Sequence, residues 1–77
     1  MSEIPTFGDV NGTVLQAASV SIHGDIYYDL IMQWEGQADQ GVKLRVPNHL
    51  CSRPPLAGDR LTLSFLLQQV NGVTFSG

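Results

Sequence analysis

Lys43, Arg45, Arg53 and Arg60 are the only lysines and arginines in the 77 residues, and they fall within a stretch of 18. Six of the seven carboxylates precede Lys43, so a net charge of −3 conceals a small cationic region in an acidic chain. Ammonium and guanidinium groups hold phosphate oxygens, and their number sets how strongly salt competes with binding. Upstream, Tyr27 and Trp34 supply flat rings on which unpaired bases stack. Rings and cations on one surface are what single-strand recognition requires. Outward cations on a strand are also ordinary solubilising residues, and Asp29 and Glu35 are placed to neutralise them.

Other chemistries find less support. His49 and Cys51 have the spacing of metal ligands, with His23 a distant third, but a four-coordinate zinc site needs a second ligand pair. No metal site or cofactor is expected. The chain has no phosphate-cradling glycine motif ahead of a helix and no nucleophile elbow. Asp9, Asp25 and Asp59 each adjoin a glycine, which is turn chemistry sufficient to explain them. The expectation is a protein that is not an enzyme.

Composition sets the class. At 43% hydrophobic and 14% charged residues, the chain is too apolar for disorder and carries too little charge for a coiled coil. Its length predicts one domain, residues 1–77 with 1–9 as an N-terminal extension, and a thin stability margin. The single cysteine excludes an internal disulfide and fits a reducing compartment. There is no leader pattern and no apolar run of membrane-spanning length, so the expectation is a soluble cytoplasmic protein. The acidic balance argues against coating duplex DNA by charge alone.

Short segments rich in Val, Ile, Leu, Thr, Tyr and Phe, cut by Gly, Pro, Asn and Asp, must position these side chains. A first strand is expected over 10–22, with Val10, Val14, Ala18, Val20 and Ile22 on one face and a bulge or bend at Gly12. A second, over 26–34, alternates between Ile26, Tyr28, Leu30, Met32 and Trp34 inward and Tyr27, Asp29, Ile31 and Gln33 outward. Trp34, at the strand end, is expected in the core or at a rim with its ring partly exposed. After a loop at 35–40, the strand over 41–47 turns Val42, Leu44 and Val46 inward and Lys43 and Arg45 outward.

Prolines 47, 54 and 55 deny a substantial helix between the third and fourth strands. The fourth strand, over 60–69, has Leu61, Leu63, Phe65 and Leu67 as its core face. Asn71-Gly72 then reads as the hairpin turn into a last strand, 73–75. A three-residue loop would set Phe75 opposite Leu67 and bury it; a two-residue loop would set it opposite Gln68. Five strands with a long bent first strand predict an all-β, five-stranded Greek-key barrel of OB-fold type, with a Src-homology-type barrel as the alternative.

A second-to-third strand hairpin centred near Ala38 would place Gln33 opposite Lys43, Ile31 opposite Arg45, Asp29 near Pro47 and Tyr27 near His49. Tyr27, Lys43 and Arg45 then share a face, with Trp34 near its end and Arg53 and Arg60 extending the positive region. The outward apolar residues Ile31 and Leu66 are candidates for a subunit interface.

Gly12-Thr13-Val14, Gly24-Asp25-Ile26-Tyr27-Tyr28, and Gly58-Asp59-Arg60-Leu61-Thr62-Leu63-Ser64-Phe65-Leu66 followed by Asn71-Gly72 give a layout over 10–76 that resembles the OB-fold single-stranded DNA-binding proteins. The likeness is to the bacterial single-strand binding proteins and primosomal replication protein n, and in size to the small proteins of filamentous phages. The resemblance implies a homo-oligomer that binds single-stranded DNA. Where that family has a long basic loop between strands two and three, this chain has the short, acidic segment 35–40. The competing expectation is a protein–protein adaptor or oligomeric subunit barrel with no nucleic-acid role.

Overall fold

The computed structural model describes residues 7–36 and 41–76. Among them are five strands, β1 (Phe7–Ile22), β2 (Asp25–Trp34), β3 (Val42–Pro47), β4 (Arg60–Leu66) and β5 (Gln69–Ser76), and one 3-10 turn, Asn48–Leu50. All pairings are antiparallel and build one sheet in the order β3-β2-β1-β4-β5. The expected all-β class and the absence of a substantial helix between β3 and β4 are as observed. β3 and β5 are the sheet edges, and no ladder joins them among the described residues. No helix among those residues is long and apolar enough to cross a membrane.

β1 serves two partners. Its first half, from Phe7 to Thr13, pairs with β4, and from Gly12 onward it pairs with β2. Residues 7–9 therefore belong to a strand and not to an extension. The register shift lies between Val14 and Gln16, so the extra residue is Leu15 and not Gly12. One inserted residue inverts the pleat: Val14 faces inward with Met32, whereas Ala18 and Val20 share the outer face with Asp29 and Tyr27. The expected single face through Val10, Val14, Ala18, Val20 and Ile22 is thus broken in the middle. Val14 exchanges backbone hydrogen bonds with Gly58 and Asp59, both at 2.8 Å, which pins the approach to β4 at the bend. Gly12 has a different duty. A Cβ there would meet Trp34 Cε3 at 2.8 Å and the Gln33 carbonyl oxygen at 3.0 Å, so only glycine lets the strand pass the indole.

The inward side chains form one cluster: Val14, Tyr28, Leu30, Met32, Trp34, Val42, Val46, Leu61, Leu63 and Phe65. Met32 and Leu63 have no exposed surface, although the sheet is a single layer. A flat layer cannot do this, so the sheet curls over its own inner face. Trp34 and Phe65 show it directly, meeting edge to face with ring centres 6.1 Å apart although β1 lies between their strands. The alternation expected for β2 and β3 is present, except that Ile26 is 48% exposed.

The last hairpin differs from expectation. The turn is Leu67-Gln68, both with positive φ (54° and 65°), and it follows β4 directly. Leu67 is 67% exposed and not a core residue. Asn71-Gly72 lies inside β5, where Ser64 pairs with Gly72, Phe65 pairs with Val70, and Asn71 is the extra residue of a bulge. Phe75 lies opposite Leu61. Turning early extends the ladder and packs Val70, Val73 and Phe75 against the core. That burial outweighs the local preference of Asn-Gly for a turn, and it holds a leucine in a left-handed conformation costing roughly 1–2 kcal/mol.

Candidate nucleic-acid interface

Pairing fixes what lies beside what on the outer face of β1, β2 and β3. Three rows cross it: Gln16, Ile31 and Lys43; then Ala18, Asp29 and Arg45; then Val20, Tyr27 and Pro47. The observed hairpin is two residues out of the expected register, with Asp29 opposite Arg45 and Tyr27 opposite Pro47. Because the pleat has period two, that slip leaves every residue on its predicted face while changing its neighbour. The expected hairpin centre at Ala38 lies outside the described residues.

The changed neighbour matters. Arg45 Nε donates to Asp29 Oδ1 at 2.6 Å and its Nη2 to Oδ2 at 3.0 Å, a bidentate pair on an open surface. The hydrogen bond from Arg45 holds the Asp29 carboxyl below its ordinary range, with the positive charges of Arg45 and Lys43 adding to it. Arg45 is correspondingly pushed up, first by its hydrogen bond to Asp29. Lys43 is exposed and makes no ion pair among the described residues. Of the two outward cations on β3, then, one is already neutralised and the other has no ion-pair partner among the described residues.

Tyr27 is half-buried beside Arg45 and Pro47. Its ring borders a groove of about 390 Å³ that separates the two sheet edges, lined by Leu44, Arg45 and Pro47 on one side and Phe65, Gln69 and Val70 on the other. Trp34 is elsewhere: at 4% exposure it is part of the core, and its ring is spent on Phe65. The partly exposed rim position does not occur.

The remaining cations lie outside these three rows. Arg53 forks onto Asp59, with nitrogen–oxygen distances of 2.9 and 3.3 Å, and its guanidinium lies 4.2 Å from the centre of the Phe75 ring. Asp59 also accepts the Leu56 backbone N–H at 2.8 Å. The Arg53 hydrogen bond and that N–H hold its carboxyl below the ordinary range. Arg53 is thus a clasp closing the connection between β3 and β4 onto β5. Arg60 is on the outer face opposite Thr13, which in turn is opposite Gln33. Its contact with Glu35, 3.8 Å between two exposed groups, constrains it little.

Ile31 is half-buried; Gly41 approaches it so closely that a Cβ would lie 2.9 Å from its Cγ2. Leu66 is 49% exposed and directly opposite Phe7, 61% exposed, with Leu67 adjoining in the turn. Phe7, a strand residue, and Leu67, a turn residue expected in the core, complete this apolar patch. No group of three or more potential metal ligands, around His49 and Cys51 or elsewhere, occurs among the described residues. Burial pushes the Cys51 thiol up, away from the reactive thiolate. Comparison with protein-family models, curated proteins and solved structures gives no match to this chain.

Proposed function

We propose that the protein is a non-enzymatic, OB-like barrel that binds single-stranded nucleic acid, DNA in the first instance, across the outer face of β2 and β3. The observation that carries this reading is the adjacency of Tyr27, Arg45 and Lys43 in successive rows of one face. A ring to stack on and a line of cations beside it suit a strand with its bases turned inward and its phosphates outward. The curled sheet and shared β1 support a barrel in which β3 and β5 are the strands nearest to closure. Arg60 extends the path along the outer face; Arg53, committed to Asp59 and Phe75, contributes mainly to the fold. Lys43 and the loosely held Arg60 alone give weak binding per subunit, so tight binding requires several subunits on one strand. A cytoplasmic location suits the lone, half-buried Cys51.

Titration of a fluorescent oligothymidine at low salt tests this reading. Saturable binding at micromolar protein, weakened by Lys43→Gln and by Tyr27→Ala, is the expected result. Absence of binding at tens of micromolar would overturn it.

The apolar patch of Phe7, Leu66 and Leu67 favours a second reading, an adaptor or subunit barrel that associates through this end. Sedimentation of the wild type and of Leu66→Lys separates the two: an oligomer that dissociates in the variant and ignores oligothymidine supports the second alone.

A further inference from the structure

Beyond Tyr27, on the side away from the groove, lies a second cleft of about 340 Å³ bounded by Asp25, Ile26, Tyr27, Pro47, Asn48 and His49. Its size is at the lower end of clefts that hold small planar ligands. The 3-10 turn that follows Pro47 brings Asn48 here, closed by the Cys51 backbone N–H donating to the Asn48 carbonyl at 3.0 Å. Tyr28 then orients the amide. Its ring is buried, and its hydroxyl donates to Asn48 Oδ1 at 2.6 Å. With the carbonyl oxygen committed to that bond, the amide nitrogen is turned away, and neither of its N–H donors is taken among the described residues. The Asp25 carboxylate likewise has no cation or donor among those residues.

Asp25 and Tyr27 are two residues apart on the same face of β2, roughly 6.6–6.8 Å along the strand. A planar ring stacked on Tyr27 therefore carries its polar edge towards a carboxylate that only accepts and an amide whose oxygen is engaged by Tyr28 and whose N–H groups are the donors left. Guanine matches this pair. Its N1–H and N2–H are adjacent and parallel, one for each oxygen of Asp25, and the neighbouring O6 accepts from Asn48. Adenine and cytosine set an acceptor beside their single amine, which the second carboxylate oxygen repels. Thymine sets one N–H between two carbonyls, and the carbonyl that replaces guanine's amine faces the second carboxylate oxygen.

We propose that this cleft takes one unpaired guanine base, stacked on Tyr27 and read by Asp25 and Asn48. The proposal deepens the single-strand reading by naming the base, and rests on that reading for the class of ligand.

The test is an NMR titration of the full chain with guanosine monophosphate and with thymidine monophosphate in lithium buffer, following the Asn48 side-chain amide. A parallel measurement compares an oligothymidine with the same oligomer carrying one central guanine. Guanosine monophosphate is expected to move the Asn48 amide at millimolar concentration, and thymidine monophosphate is not. The single guanine should tighten binding on the order of tenfold, and Asp25→Asn should abolish the preference while the fold, followed by circular dichroism, is retained. Equal responses to the two nucleotides, or none at Asn48, would overturn the proposal. Oligothymidine binding without a guanine preference would overturn it and leave the single-strand reading standing. A guanosine response at Asn48 without oligothymidine binding would do the reverse.

Discussion

Asp29 and Arg45 face each other across the β2–β3 ladder and are joined by two hydrogen bonds, at 2.6 and 3.0 Å, on the face that presents Tyr27 and Lys43. A carboxylate here occupies the guanidinium fork as a phosphate would. A strand that takes the same Nε and Nη2 edge of Arg45 must first displace Asp29.

Removing that competitor should strengthen binding. Asp29→Asn is expected to tighten oligothymidine binding severalfold at low salt, and to steepen the logarithmic salt dependence by about 0.7 as one more cation engages. Lys43→Gln should weaken binding more than Arg45→Gln, because Lys43 has no ion-pair partner to leave among the described residues. Titrations at three salt concentrations measure both. Weaker binding by the asparagine variant would mean that Asp29 positions Arg45 for the ligand.

The two aromatic candidates should behave oppositely. Tyr27→Ala should lose about 1–3 kcal/mol of binding and little stability, with Tyr27→Phe close to wild type. Trp34→Ala should instead cost about 3–5 kcal/mol of stability, because it empties a buried site packed against Phe65. Urea unfolding beside the binding titration separates the effects.

Gly12→Ala should destabilise by about 1–3 kcal/mol through the clash with Trp34, read as a lower urea midpoint. Gln68→Gly should act the other way. It relieves a left-handed residue in the β4–β5 turn and should stabilise by about 1 kcal/mol.

Acid should find the two paired carboxylates last. Asp29 and Asp59 both have folded-state values depressed below the ordinary one, chiefly by Arg45 and Arg53. Their contribution to stability is therefore complete above the unfolded-state value and is lost as pH falls through the depressed one. Asp59→Asn should lower the melting temperature at neutral pH and flatten its decline in acid, followed by thermal melts from neutrality downwards. An unchanged acid decline would show that Asp59 contributes nothing through this linkage.

Much of this architecture was legible in the residues. The strict alternation in Tyr28, Leu30, Met32 and Trp34, and in Leu61, Leu63 and Phe65, selects the core, because a pleated strand offers alternate side chains to opposite faces. It also sets Tyr27, Lys43 and Arg45 outward on one face. The same pattern was silent on Asp25 and Asn48, which a turn after Pro47 brings together from separate segments.

The sequence by itself therefore determined the all-β class, the core residues from Tyr28 to Trp34 and from Leu61 to Phe65, and the side of the sheet on which each cation of β3 stands. Tertiary structure alone decided where β1 inverts its pleat, where the last hairpin turns, and that Arg45 meets Asp29. A two-residue slip preserves every face, so periodicity cannot distinguish one register from the next. An early turn at Leu67-Gln68 prevails over Asn71-Gly72 because burial of Val70, Val73 and Phe75 is summed over the whole ladder, whereas turn preference acts on two residues only.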